Sequence, residues 1–186
     1  MRYAGMIKND FSAAPGVCVS FFVQGCPIHC TGCHNPESWD FKGGRPVTDE
    51  TFEELYQALT ANGINRNLAI MGGEPLCPEN QELTLAVINY VRAKMPDIKI
   101  YLYTGYMVGN LTQIGPRDKL AKILAELEWM IEGPFQLHRR DVTLKYRGST
   151  NQRILQGPLT IGKKFDIINL EDEEKKGELA NGNFNN

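Results

Sequence analysis

The chain lacks any block of basic residues: 20 Lys and Arg stand against 22 Asp and Glu, a formal net charge of −2. With no cationic excess to neutralise phosphates, the composition argues against a nucleic-acid partner. Long apolar runs are missing too, so no segment reaches membrane-spanning length and no membrane association is expected. The opening stretch, MRYAGMIKNDFSAAPG, has no apolar core of the secretory kind. The expected location is therefore cytoplasmic, a reducing compartment where disulfides are rare. Repeats and internal linkers are also absent, so a single domain is expected over residues 1–170, with enough length for a real core. Residues 171–186, EDEEKKGELANGNFNN, are polar and charged. They hold too little apolar surface to offset ordering entropy, and an acidic, disordered C-terminal tail is expected.

What is present alternates between two periodicities. VCVSFFV (17–23) reads as a buried strand ending at Gln24-Gly25. Thr48 can cap a helix whose first turn carries Asp49 and Glu50 and whose apolar positions are Phe52, Leu55, Tyr56 and Leu59. NLAIM (67–71) is a short strand stopped by Gly72-Gly73. A helix over residues 80–94 aligns Leu83, Val87, Tyr90 and Val91 and ends before Pro96. IKIYLY (98–103) alternates as a strand, residues 117–126 form a third helix burying Leu120, Ile123 and Leu124, and EWMIE (128–132) is the next strand. Strand and helix in strict alternation predict an α/β fold with a largely parallel sheet. Each strand runs into a glycine-containing loop: QGCP, MGGEP, YTGY and IEGPF. In a parallel sheet or barrel such loops gather at the carboxyl ends of the strands. Convergence there is expected of the cysteines, Gly72-Gly73 with Glu74, Tyr103-Thr104 and Glu132.

Five cysteines divide unevenly. Cys18 sits in an apolar run and Cys77 follows GGEPL, and both read as structural. Cys26, Cys30 and Cys33 fall within eight residues, in VQGCPIHCTGCHNPESW. Three unrelated structural thiols rarely cluster so tightly in a cytosolic chain. A zinc site is one reading, with His29 or His34 as fourth ligand, although structural zinc usually draws pairs of ligands from two loops. CTGCH also matches the haem-attachment pattern, but Cys26 would be left over. The remaining reading is an iron–sulfur cluster on three thiolates, which leaves one iron of a four-iron cluster open. Gly25, Pro27 and Gly32 suit a loop that wraps tightly with its N–H groups turned inward.

The spacing C-x3-C-x2-C, with GGEP after the second strand, resembles the radical S-adenosylmethionine (SAM) enzymes. FVQGCPIHCTGCHNPESW, GGEPL, YTGY and RGSTNQRI, in that order, are similar to the glycyl-radical activases that serve anaerobic ribonucleoside-triphosphate reductases. The likeness spans about residues 15–155, with Glu132 where that family more usually shows Asp. It implies a partial (β/α) barrel of radical SAM type. It also implies a 4Fe-4S cluster on Cys26, Cys30 and Cys33, and SAM held on the open iron against Gly32, Cys33, His34, Gly72, Gly73 and Glu74. The implied activity is reductive SAM cleavage to a 5′-deoxyadenosyl radical, which makes a glycyl radical on the reductase large subunit. A low-potential donor such as flavodoxin or ferredoxin would supply the electron. Here the cofactor carries the hard chemistry, and no side chain need act as general acid or base.

Several expectations for single residues remain open at this level. Glu74 either touches SAM or braces its loop. Tyr103 and Thr104 read as sheet-end packing. Asn151, Gln152 and Arg153 read as site or partner residues because of their place in RGSTNQRI. A side chain at Gly73 is expected to obstruct SAM while sparing the cluster, unless Gly73 needs a positive φ. Two rival functions stand beside the main one: a small-molecule enzyme like the 7-carboxy-7-deazaguanine synthases, which also carry GGEP, and a zinc-binding module without turnover.

Overall fold

The structure, a computed structural model, describes residues 1–170. The expected tail lies outside the described residues. Eight strands form one sheet: β1 (Arg2–Asp10), β2 (Cys18–Val23), β3 (Arg45–Pro46), β4 (Asn67–Gly72), β5 (Ile100–Thr104), β6 (Trp129–Glu132), β7 (Arg153–Gln156) and β8 (Ile167–Ile168). Three helices connect the parallel strands: α1 (Asp49–Thr60), α2 (Pro78–Lys94) and α3 (Arg117–Ala125). The strand order is β3-β1-β2-β4-β5-β6-β7-β8. The central four, β2, β4, β5 and β6, run parallel, while β1, β3, β7 and β8 add antiparallel ladders on either side. The sheet stays open, because β3 and β8 stand at its two edges and do not pair with each other.

Local chemistry explains the helices. The Thr48 N–H donates to Thr51 Oγ1 at 3.1 Å, closing the first turn of α1, and Asp49 and Glu50 sit at its positive end. α2 starts at Pro78, two residues earlier than periodicity predicts. Proline is welcome at a first helical position, where its missing N–H has no partner to lose. Arg92 and Lys94 lie in the last turn, at the negative end.

Strand alternation divides β4 between two faces. Leu68 and Ile70 join the main core with Leu55, Leu83 and Ile123, one from each helix. Ala69 and Met71 face the other way, into a smaller cluster with Ala13, Ala14, Cys18 and Tyr101. Covered on both sides, the central strands read as continuous apolar runs. This corrects the alternating reading of IKIYLY: β5 begins at Ile100, and all of its residues but Tyr103 are buried.

Four strands escaped the sequence reading, among them the two-residue β3, whose Arg45 and Pro46 are both exposed. β1 has nine residues but buries only Tyr3 and Asp10, so its pattern carries little period-2 signal. β7 and β8 have four and two residues and are recognisable only through their partners, β6 and β7. Among the described residues, no helix is long and apolar enough to cross a membrane.

Candidate functional site

The loop after β2 is shaped by its glycines and by backbone pairing. Gly25 has φ +100, and a side chain there would strike the ring of Phe41. Its N–H donates to Ser38 O at 2.8 Å, and the Cys26 N–H to Trp39 O at 3.1 Å. A tight turn then brings the Cys33 N–H to Cys30 O at 3.0 Å, with Gly32 at φ +76. The thiols of Cys26, Cys30 and Cys33 are free and half-buried, whereas Cys18 and Cys77 are fully buried, as their structural reading expects. Burial pushes the Cys26 thiol up, against the pull of the Ile28 and His29 N–H groups. Burial likewise raises Cys30, opposed by the Phe135 N–H. The Asn35 N–H lies 3.4 Å from Cys33 Sγ. Each sulfur thus has a backbone donor aimed at it, the environment that thiolate ligands require.

The loop after β4 is stitched to this one. The Gly73 N–H donates to Val23 O and the Glu74 N–H to Gly25 O, both at 2.8 Å. Gly72 carries the positive φ, +102; Gly73 does not. Instead, a Cβ on Gly73 would lie 2.3 Å from Gly25 O. The expectation that a side chain at Gly73 spares the cysteine loop is therefore corrected: glycine is required there because two backbones touch. Asn80, on the first turn of α2, completes the joint. Its buried amide donates to Gly25 O at 2.9 Å and to Glu74 O at 3.0 Å.

Glu74 is 1% exposed. Its Oε1 accepts from the Leu76 N–H at 2.9 Å and the Thr104 hydroxyl at 2.7 Å, and its Oε2 from the Gly105 N–H at 2.7 Å. The carboxylate fastens the β4 loop to the end of β5, the bracing alternative for this residue. Burial, outweighing these donors, pushes its pKa up to about 7.

The third wall comes from β6 and the segment before β7. Gln152 Oε1 accepts from the Gly148 and Ser149 N–H groups, while its Nε2 donates to Gly133 O at 3.0 Å. Asn151 donates to Pro134 O at 2.8 Å. Tyr103 ties its hydroxyl to Ala13 O at 2.6 Å. Glu132 departs from expectation. It lies fully buried, accepts from the Val108 N–H and pairs with Arg153, so it supports the loop from beneath rather than lining the site.

Around one cavity of about 250 Å³ the structure brings together Cys26, Cys30, Cys33, His34, Gly72, Gly73 and Glu74. Ile28, Met71 and Phe135 supply apolar wall, and the His34 ring meets Phe135 edge-on at 5.7 Å. Gly32, exposed, sits on the rim beside Leu137. Among the described residues, no three His, Cys, Asp or Glu side chains converge closely enough to hold one metal ion. Three thiols on one short loop are the soft donors that an iron–sulfur cluster takes. A depression of about 560 Å³ between α1 and α2 is roomier but holds no thiol. Sequence reasoning missed Asn80, placing it as a helix start. The side-chain target of a residue in a first helical turn leaves no periodic trace.

Residues 13–155 match a family model described as a 4Fe-4S single cluster domain. A Pasteurella multocida protein is 33% identical over 83% of this chain and 96% of its own length. An Enterobacteria phage T4 protein is 32% identical over 83% of this chain and 93% of its own length, and one from Vibrio cholerae 31% over 83% and 97%. All three are named anaerobic ribonucleoside-triphosphate reductase-activating protein. With three thiols at one cavity and likeness running through nearly the whole of each relative, the chain belongs to the 4Fe-4S single cluster domain family and, within it, to the anaerobic ribonucleoside-triphosphate reductase-activating proteins.

Proposed function

We propose that this chain is a radical SAM enzyme that places a glycyl radical on the large subunit of an anaerobic ribonucleoside-triphosphate reductase. The observation that carries this reading is the meeting of three half-buried thiols with the Gly72-Gly73 loop, at the carboxyl ends of four parallel strands. The open sheet is then a partial (β/α) barrel of radical SAM type, and the protein works in the cytoplasm with a low-potential electron donor.

In this reading Cys26, Cys30 and Cys33 bind three irons of a 4Fe-4S cluster, and the N–H groups aimed at their sulfurs offset the thiolate charge. Gly32, Cys33 and His34 border SAM on the cysteine side, and Gly72 and Gly73 offer it their backbone on the other. Glu74 keeps that backbone in place through Thr104 and Gly105. Ile28, Met71 and Phe135 exclude water. When bound, the cluster and SAM supply one-electron radical chemistry that ends in hydrogen abstraction from a glycine of the reductase.

Anaerobic reconstitution with iron and sulfide tests the reading. A brown protein is expected that cleaves SAM once reduced and raises a glycyl-radical signal in paramagnetic resonance on the reductase. A colourless, zinc-loaded protein that leaves SAM intact overturns it, and SAM cleavage with a radical-free reductase would shift the reading to a small-molecule enzyme.

A further inference from the structure

Beside the cysteine loop lies a surface that the site does not use. A 3-10 turn, Leu137–Arg139, follows the cavity wall at Phe135. Its backbone is fixed: the Arg139 and Arg140 N–H groups donate to Gln136 O and Leu137 O, and the Thr150 and Asp141 N–H groups to Arg139 O and Gly148 O. Its side chains are not. Leu137 is 51% and Val142 80% exposed, and between them His138, Arg139 and Arg140 stand in solvent. Among the described residues neither arginine forms an ion pair. Asp141, the one acid in the turn, is occupied by the N–H and hydroxyl of Thr143, at 2.9 and 2.6 Å.

The patch adjoins the thiols. Leu137 Cδ1 lies 3.0 Å from the position of a Cβ on Gly32, and Leu137 and His138 share a shallow depression with Thr31. The Phe135 N–H, two residues before Leu137, points at Cys30.

We propose that residues 137–142 dock an acidic one-electron carrier protein, a reading that rests on the three thiols holding a reducible cluster. A pair of unpaired cations on a fixed backbone, flanked by exposed apolar side chains, is complementary to a carrier with acidic residues around its redox group. A patch this small fits the low end of interface sizes, where transient redox encounters lie. One electron leaves the carrier and enters the cluster: the carrier is oxidised by one electron, the cluster is reduced by one, and no atom is exchanged.

The test compares reconstituted wild type with Arg139→Glu/Arg140→Glu. Reduced flavodoxin serves as the acidic carrier and photoreduced deazariboflavin as an uncharged reductant. The variant is expected to be reduced by flavodoxin roughly tenfold more slowly at low salt. That gap should shrink as salt shortens the screening length to about 3 Å near 1 M. Binding of oxidised flavodoxin should weaken in parallel, while reduction by deazariboflavin and the SAM cleavage it drives stay unchanged. Equal flavodoxin rates and affinities in both proteins overturn the proposal. So does a variant that takes electrons normally but loses radical formation on the reductase, because the patch would then serve that polypeptide. Should the variant misfold, a salt-insensitive flavodoxin rate in the wild type overturns it equally. Failure of the wild type to cleave SAM even with deazariboflavin is a different result: it removes the proposed function, and docking with it.

Discussion

The Asn80 amide donates to the carbonyl oxygen of Gly25 at 2.9 Å, across 55 residues of chain, and in doing so joins the first turn of α2 to the residue before Cys26. The same nitrogen reaches Glu74 O at 3.0 Å. Two loops that supply different parts of the site are therefore held by one buried side chain.

Asn80→Ala removes two buried hydrogen bonds, while Gly25 O keeps the Glu74 N–H and Glu74 O keeps the Cys77 N–H at 3.3 Å. Each lost bond is worth about 0.5–1.5 kcal/mol, so a lower melting temperature and faster cluster loss in air are expected. Asn80→Asp should be worse, since it turns acceptor oxygens toward two carbonyls. Iron content and thermal denaturation on the same samples decide the matter; an Asn80→Asp variant matching wild type in both would refute the clamp.

Gly73→Ala should damage iron retention and SAM binding together. The added carbon lies 2.3 Å from Gly25 O, so the backbone beside Cys26 must move. Overpacking of this kind costs about 1–3 kcal/mol. Equilibrium SAM binding and iron per chain are the measurements. Normal iron with selective loss of SAM would show that the side chain meets the cofactor first.

Cys26→Ala, Cys30→Ala and Cys33→Ala are each expected to abolish the brown colour, because each removes one of only three thiolates. Cys18→Ala and Cys77→Ala should keep it and lose about 1–2 kcal/mol of stability, since both thiols are fully buried. Absorbance after reconstitution and urea denaturation separate the two groups. Full colour in Cys30→Ala contradicts the ligand set.

Asp10 makes part of the fold acid-sensitive. Burial raises its carboxyl, but hydrogen bonds from Ser20 and Ser12 outweigh this and hold it below the usual 3.8. Since the folded value is the depressed one, its stabilisation is present above about pH 4 and fades as pH falls through the folded value. Asp10→Asn should therefore cost about 1 kcal/mol near neutrality, with the deficit closing as the pH is lowered through that folded value. Melting temperatures of the pair across the acid range test the sign; a constant gap would mean that Asp10 does not titrate as argued.

The sequence by itself determined the parts whose chemistry is local. Cys26, Cys30 and Cys33 lie close enough along the chain that their spacing announces a ligand loop before any fold is known. The three helices were legible because apolar residues recur at the helical period within each segment. The parallel order of β2, β4, β5 and β6 followed from the crossover helices between them. Only the tertiary structure decided how these pieces touch. That Gly73 abuts Gly25, that Asn80 clamps two loops, and that Glu132 pairs with Arg153 beneath the site all depend on register between distant segments. β1, β3, β7 and β8 were hidden for the same reason. A strand that buries few residues, or spans only two to four, draws its stability from the neighbour it pairs with, and that neighbour is chosen by packing across the whole sheet.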